Sequence, residues 1–285
     1  MHNPTLGRVC TLCVIEAHDH GMLLEGGDLG EILLPTRYVT EGLKSGDEIE
    51  VFLYTDSEDR IVATTDRPLV MAEEFASLKV VDTNNIGAFL DWGLPKHLLL
   101  PFREQRQRVR EGQHVLVYVR VDHVSARLVA SAKIDKFLAE TAPMDVSDGS
   151  KVELIIAGQS DLGTNVIVDH NYWGLIHQSV SNVPRRGTRC SGYVARIRDN
   201  GLADITLQPP GYKRVSGATE QLTEALAQAN DGFLPIHDKS PPEEIMACLG
   251  MSKKIFKQAL GTLYRERRVR ITAKGIQLLD SDSNS

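Results

Sequence analysis

The sequence predicts a mainly β protein that ends in an α+β module. Three observations carry this: short alternating strand patterns fill residues 7–207, the same strand order returns twice after its first appearance, and helical patterns replace it beyond Pro209-Pro210-Gly211. Alternation with period two puts one face of a strand in a core and the other outside, while spacings of three and four do the same for a helix.

The first set of strands runs from Gly7 to Asp66. Val9-Cys10-Thr11-Leu12-Cys13-Val14 and Met22-Leu23-Leu24-Glu25 precede the turn Gly26-Gly27-Asp28, and Glu31-Ile32-Leu33-Leu34-Pro35 follows it. Asp47 to Tyr54 alternates polar and apolar side chains, and Ile61 to Thr65 supplies a fifth strand. Five short strands in about 60 residues are the content of an OB barrel.

The second set reads Ala76 to Asp82, then Gly87-Ala88-Phe89-Leu90-Asp91-Trp92-Gly93, then Leu98-Leu99-Leu100-Pro101, His114 to Asp122 and Arg127 to Ala132. In the third, Lys151 to Ala157 leads through Gly163 to Asn165–Asp169, and Gly174-Leu175-Ile176-His177, Cys190 to Ile197 and Ala203 to Leu207 follow. Before the fourth strand of each set stands a glycine turn: Lys44-Ser45-Gly46-Asp47, Arg110-Glu111-Gly112-Gln113 and Arg186-Gly187-Thr188. This shared punctuation marks diverged repeats. Lys136 to Thr141, followed by Pro143, predicts a short helix and linker between the second and third sets.

Beyond the prolines, Glu220 to Asn230 is rich in helix formers, and Ser240-Pro241-Pro242-Glu243-Glu244 offers an N-cap, early prolines and first-turn acids. Gly250 ends that helix, Ser252 caps the next from Lys253 to Arg267, and Val269–Thr272 with Ile276–Leu279 forms a hairpin. Three helices and a hairpin make a winged helix. The expected architecture is therefore three tandem five-stranded OB barrels and a winged helix, with boundaries at 1–67, 68–141, 145–210 and 216–280, and a disordered tail at Ser281–Ser285.

Hydrophobic residues at 42% and charged residues at 25% allow packed cores throughout. No apolar run suits a membrane helix and Met1-His2-Asn3-Pro4 lacks the regions of a signal peptide, so a cytoplasmic protein without membrane partners is expected. Four cysteines without a framework spacing fit a reducing compartment. The net charge of −6 is unevenly spread: residues 1–70 carry −8, residues 71–140 and 141–214 carry +1 each, and residues 215–285 carry 0. Residues 251–274 hold eight basic side chains and one acid, Glu266, a stripe suited to phosphate.

Phe89 and Asp91 alternate with Ala88 and Leu90, so one pair faces outward. An outward aromatic on an OB strand can stack on an unpaired base; the alternative is that Phe89 covers a loop or packs on the next module. His97, Tyr118, Arg120, Asp122 and Arg127 fall on strands that OB topology brings near this face.

The run Gly87 to Gly93, followed by Leu98-Leu99-Leu100-Pro101, resembles the S-one RNA-binding repeat over residues 76–133. That resemblance implies a surface aromatic at Phe89, an acidic residue at Asp122 and a basic one at Arg127. Ile86 stands where the family often has a second aromatic, and Leu100 where it often has histidine. The third set keeps His177 but has Asn165 in the aromatic place, with Tyr172, Trp173, Tyr193, Arg196 and Arg198 as other surface candidates; in the first set Leu23 takes that place. With a charge of −8, the first module is expected to be architectural or protein-facing. Three such barrels before a winged helix resemble the conserved virulence factor B family, which implies binding of single-stranded RNA and post-transcriptional control.

In the winged helix, Lys253, Lys254, Lys257, Arg265, Arg267, Arg268, Arg270 and Lys274 are candidate phosphate contacts, the alternative being a solvated basic helix. Such a module also reads DNA, so a DNA-binding regulator that uses the barrels as an interaction platform is the second expectation. Arg103, Arg106, Arg108 and Arg110 form a further basic cluster that is either solvated or phosphate-binding. Cys10-x-x-Cys13 with His18 and His20 invites zinc, but residues three apart on a strand face opposite ways and no second pair follows. No phosphate loop, nucleophile elbow or metalloprotease spacing occurs, so neither enzyme nor cofactor is expected.

Overall fold

The computed structural model describes residues 3–178, 180, 182–209, 212–272 and 274–279. Pro210, Gly211 and the tail expected to be disordered, Ser281–Ser285, lie outside them. The chain divides into two compact units, Met1–Leu207 and Gln208–Ser285.

The first unit contains three closed barrels. The first has β1 (Val9–His18), β2 (Gly21–Glu25), β3 (Glu31–Pro35), β4 (Glu48–Thr55) and β5 (Ile61–Thr64). The second has β6 (Phe75–Thr83), β7 (Gly87–Asp91), β8 (Leu98–Pro101), β9 (His114–Val121) and β10 (Leu128–Ser131). In the third are β11 (Lys151–Ser160), β12 (Gly163–Val168), β13 (Tyr172–His177), β14 (Arg189–Ile197) and β15 (Ala203–Thr206). All three close in the order 1-2-3-5-4, with strands three and five parallel, as an OB barrel requires.

The repeat extends to single hydrogen bonds. Each first strand carries a bulge, after Val14, Val80 and Ile156, which bends it around the barrel. The carbonyls of those same residues accept from the backbone N–H of Gly46, Gly112 and Gly187 at 2.8, 2.8 and 2.7 Å. These glycines have φ of +88°, +80° and +86°, which explains the shared turn signature. A second recurrent glycine opens each second strand, where a Cβ on Gly21, Gly87 or Gly163 would lie 1.9, 2.4 or 2.2 Å from the carbonyl oxygen of Leu34, Leu100 or Ile176.

Inward residues such as Leu24, Ile32 and Leu53, Leu78, Leu90 and Leu100, or Leu154, Val166 and Ile176 fill the three cores, each worth about 1.5–3 kcal/mol when fully buried. Outward residues join the modules. Phe52, Tyr54 and Val62 of the first barrel pack with the second, where Phe52 meets the edge of Trp92 at 5.8 Å. Phe75 and Leu116 of the second pack with Ile155, Ala157 and Ile167 of the third. The helix expected at Lys136–Thr141 is instead a 3-10 turn, Ile134–Phe137. Ile134 and Leu138 sink into that second junction, and Ala139 pairs with Tyr172 beside β13, so tertiary burial and pairing override helix propensity.

The second unit is a winged helix: α1 (Tyr212–Gln228), β16 (Phe233–Leu234), α2 (Pro242–Leu249), α3 (Lys253–Arg265), β17 (Val269–Ile271) and β18 (Ile276–Leu278). Its sheet runs β16-β18-β17, adding a two-residue strand too short to show in the sequence pattern. Leu222, Leu226, Ile245, Phe256, Leu260 and Ile276 form its core. Gly250 ends α2 in the left-handed region and Ser252 Oγ caps α3 from Ile255 N–H. Ser240 does not cap α2: Pro241 holds that place, and the buried Ser240 hydroxyl accepts from His237 N–H.

Candidate nucleic-acid interface

Register places equivalent residues of the three barrels in one cross-strand row on the outside. In the second barrel Phe89 is paired with Leu99, Leu99 with Val129 and Val129 with Arg120. The same path reads Leu23, Leu33, Val62 and Tyr54 in the first barrel, and Asn165, Leu175, Asp204 and Arg196 in the third. Phe89 is half-buried while Ala88 and Leu90 beside it are fully in the core. Phe89 and Arg120 stand three strand spacings apart, about 14 Å.

Asp91, two residues beyond Phe89 on β7, shares its face and is exposed, and His97, also exposed, immediately precedes β8. Asp91 Oδ1 accepts from Gly93 N–H at 3.0 Å. The remaining candidates of this barrel are committed to protein partners. Arg120 lies 3.3 Å from Glu104 and 3.6 Å from Asp122; Asp122 also accepts from Arg103 and from the Ser125 hydroxyl, each at 3.1 Å. Burial would raise the Asp122 carboxyl, but the Ser125 bond and the two guanidinium groups outweigh it and hold the group below the usual carboxylate range. The same balance, through Ser131 and Arg120, lowers Glu104. Two cations and two carboxylates thus form a neutral brace at the end of the row. Arg127 is ion-paired with Asp59 of the first barrel.

Tyr118 leaves this face. Its ring stacks on Phe137 at 4.1 Å and packs on Phe75 at 4.8 Å, in the junction with the third barrel. Register explains the difference: Tyr118 is equivalent to Phe52, the outward aromatic by which the first barrel meets the second. Tyr193 is the third member of that set, opposite Lys151, and is half-buried. In the third barrel His177 is exposed opposite Gly163, as Pro101 is opposite Gly87. The histidine place therefore corresponds to Pro101; Leu100, equivalent to Ile176, is core. Arg196 is exposed opposite Asp204, whose carboxylate is held by Arg198 at 2.6 Å.

Sequence reasoning missed a contact in the arginine cluster, because stacking between residues six apart in a loop has no periodic signature. The Arg108 guanidinium lies over the Phe102 ring at 3.5 Å. Arg106 is ion-paired with Asp135, and neither Arg108 nor Arg110 has a carboxylate partner among the described residues. In the first barrel the far end of the row, Val62 and Tyr54, is buried against the second. Cys10 packs against the first barrel's core, and burial pushes its thiol up. Among the described residues no helix is long and apolar enough to cross a membrane, and no three His, Cys, Asp or Glu side chains gather as for a metal.

On α3, Lys254, Lys257, Gln258, Gly261 and Arg265 form the exposed stripe opposite buried Phe256, Ala259, Leu260 and Leu263. Lys253 is half-buried and donates to Lys239 O at 3.4 Å. After the helix, Arg268 N–H bonds Leu263 O and Arg267 N–H bonds Tyr264 O, a Schellman closure in which Arg267 takes φ +57°. Arg268 pairs with Glu266 at 3.6 Å, while Lys254, Lys257, Arg265, Arg267, Arg270 and Lys274 have no carboxylate partner among the described residues.

Two family models match the chain: a CvfB-like winged helix domain over residues 220–278 and an S1 domain over residues 6–66. The S1 match lies on the first barrel. The chain is 30% identical over 284 residues to the uncharacterized protein YitL of Bacillus subtilis, covering 92% of this chain and 90% of that one. It is 28% identical over 258 residues to conserved virulence factor B of Staphylococcus aureus, covering 84% of each. A solved multidomain protein with nucleic acid binding domains from Streptococcus pneumoniae aligns over 96% of this chain and 98% of its own, at 21% identity and a TM-score of 0.40.

Proposed function

The chain belongs to the family of YitL and conserved virulence factor B, and from that premise we propose that it is a non-catalytic, cytoplasmic protein that binds single-stranded RNA and regulates gene expression after transcription. S1 and winged-helix domains are nucleic-acid-binding types, and this chain contains both. The observation that carries the preference for unpaired RNA is the outward row of the second barrel. A half-buried aromatic, Phe89, is followed across the sheet by apolar Leu99, a platform on which an unpaired base can stack but which a duplex cannot enter. The exposed Arg108 and Arg110 of the same barrel, and independently the α3 stripe of the second unit, supply cations for the backbone. Binding of a labelled, unstructured oligoribonucleotide, measured by fluorescence anisotropy and compared between the native chain and Phe89→Ala, tests this reading.

One observation favours a second reading, a regulator that binds duplex DNA. Lys254 and Lys257 share the exposed side of α3 and have no carboxylate partner among the described residues, and this is the helix that such folds lay in the major groove. A stronger preference for duplex DNA than for single-stranded RNA, lost on Lys254→Ala with Lys257→Ala, would replace the first reading by the second.

A further inference from the structure

Between the second and third barrels lies a cleft of about 830 Å³, within the size range of small-ligand sites. Its composition differs from the Phe89 face. One wall is the half-buried indole of Trp173, which points outward from β13 opposite Ile167. Asn165, the residue that replaces the stacking aromatic in the third barrel's row, lines the cleft beside it. Across the bulge from Asn165 stands Gly158, and no atom lies within 4 Å of where its Cβ would be, so the bulge leaves room where a side chain would protrude. The rim carries Arg106, Arg185 and Arg186. Asp135 neutralises Arg106, whereas Arg185 and Arg186 are exposed and have no carboxylate partner among the described residues.

We propose that this cleft is a nucleotide subsite for single-stranded RNA, with a base against Trp173, its edge read by the Asn165 amide, and its phosphate at Arg185 and Arg186. The assignment rests on the RNA-binding reading above and adds a second contact point to it. An indole face accepts any base; a side-chain amide, donor and acceptor together, discriminates among base edges. Two free guanidinium groups on one rim suit the bidentate geometry of a phosphate. The third barrel, having lost the aromatic of its row, thereby keeps a stacking surface one strand away.

The chain has two tryptophans, and Trp92 is buried against the first barrel, so both emit but a change of emission on contact with a ligand reports on Trp173. Titrating the full chain with an unstructured oligoribonucleotide should quench its fluorescence. Trp173→Phe should abolish the quenching, and Arg185→Ala with Arg186→Ala should weaken binding about tenfold. Phe89→Ala should weaken binding yet leave the quenching at saturation intact. Oligonucleotide bound by anisotropy with unchanged tryptophan emission, and unchanged affinity in the double arginine variant, would overturn the subsite while leaving RNA binding standing. Absence of any binding by the native chain would overturn both. A free nucleoside monophosphate forms the second arm: quenching by it at concentrations as low as those of the oligonucleotide would assign the cleft to a free nucleotide and overturn its place on the strand.

Discussion

The carboxylate of Asp59, on the turn between β4 and β5 of the first barrel, is ion-paired to the guanidinium of Arg127 at the head of β10 in the second. It also lies 3.6 Å from Lys96 Nζ. The acidic module thus reaches the second barrel and shares one carboxylate between two of its cations. Exposed pairs of this kind contribute about 0.2–1 kcal/mol, so removing the carboxylate costs little stability and frees charge for phosphate. Asp59→Asn should raise affinity for single-stranded RNA about two- to fivefold at low salt, with the gain fading as salt screens the cations. Anisotropy titrations at two ionic strengths measure this; no gain at low salt would show that Arg127 takes no part.

Lys254 and Lys257 stand one helical turn apart on the exposed side of α3. If both neutralise phosphates of a bound strand, Lys254→Ala with Lys257→Ala should flatten the plot of log affinity against log salt by roughly 1.4, about 0.7 for each lost contact on single strands. An unchanged slope would make the stripe a solvated surface.

Arg267 occupies a left-handed position, φ +57°, where a helix stop ordinarily carries glycine. Holding a side chain there costs roughly 1 kcal/mol, which points to a use for the guanidinium. Arg267→Gly should therefore stabilise the winged helix by about 1 kcal/mol in denaturant unfolding while weakening RNA binding. Equal affinity in the variant would remove Arg267 from the interface.

The junction of the second and third barrels contains a titratable acceptor. His170 Nδ1 accepts from Phe75 N–H at 2.8 Å, and its ring stacks on Phe75 at 6.1 Å. Burial, and next the Arg189 charge, push its pKa below the ordinary value of 6.5. The unfolded chain therefore takes up this proton first. Stability from the neutral imidazole is present above about pH 6.5 and is lost as pH falls through the lower folded-state value. Thermal unfolding followed from pH 7.5 down to 5 should show a steeper loss in the native chain than in His170→Asn. Identical slopes would show that the junction does not depend on this group.

The barrels and the winged helix were legible because their signals are local. The glycine turns at Gly46, Gly112 and Gly187 punctuate each repeat where the backbone must bond the bulge. Alternation set Phe89 and Leu90 on opposite faces, and Leu90 is the one in the core. What could not be read was how outward residues are shared between modules. Tyr118 and Arg127 have the composition of an RNA face, yet Tyr118 is spent on Phe137 and Arg127 on Asp59, residues 19 and 68 positions away. The cleft was hidden for the same reason: Arg106 and Asp135 follow the second barrel's strands while Asn165, Trp173 and Arg185 belong to the third barrel, and only the meeting of the two barrels brings both sets to one cavity.

The central claim is that Phe89 stacks on an unpaired base of RNA. Its most direct test is a competition among single-stranded RNA, single-stranded DNA and duplex DNA over a salt series, run with the native chain and with Phe89→Ala. The account predicts that single-stranded RNA competes best and that Phe89→Ala weakens it by about 1–3 kcal/mol at every salt concentration, because stacking carries no counterion release. Tighter binding of duplex DNA, or an affinity for RNA unaltered by Phe89→Ala, would contradict it.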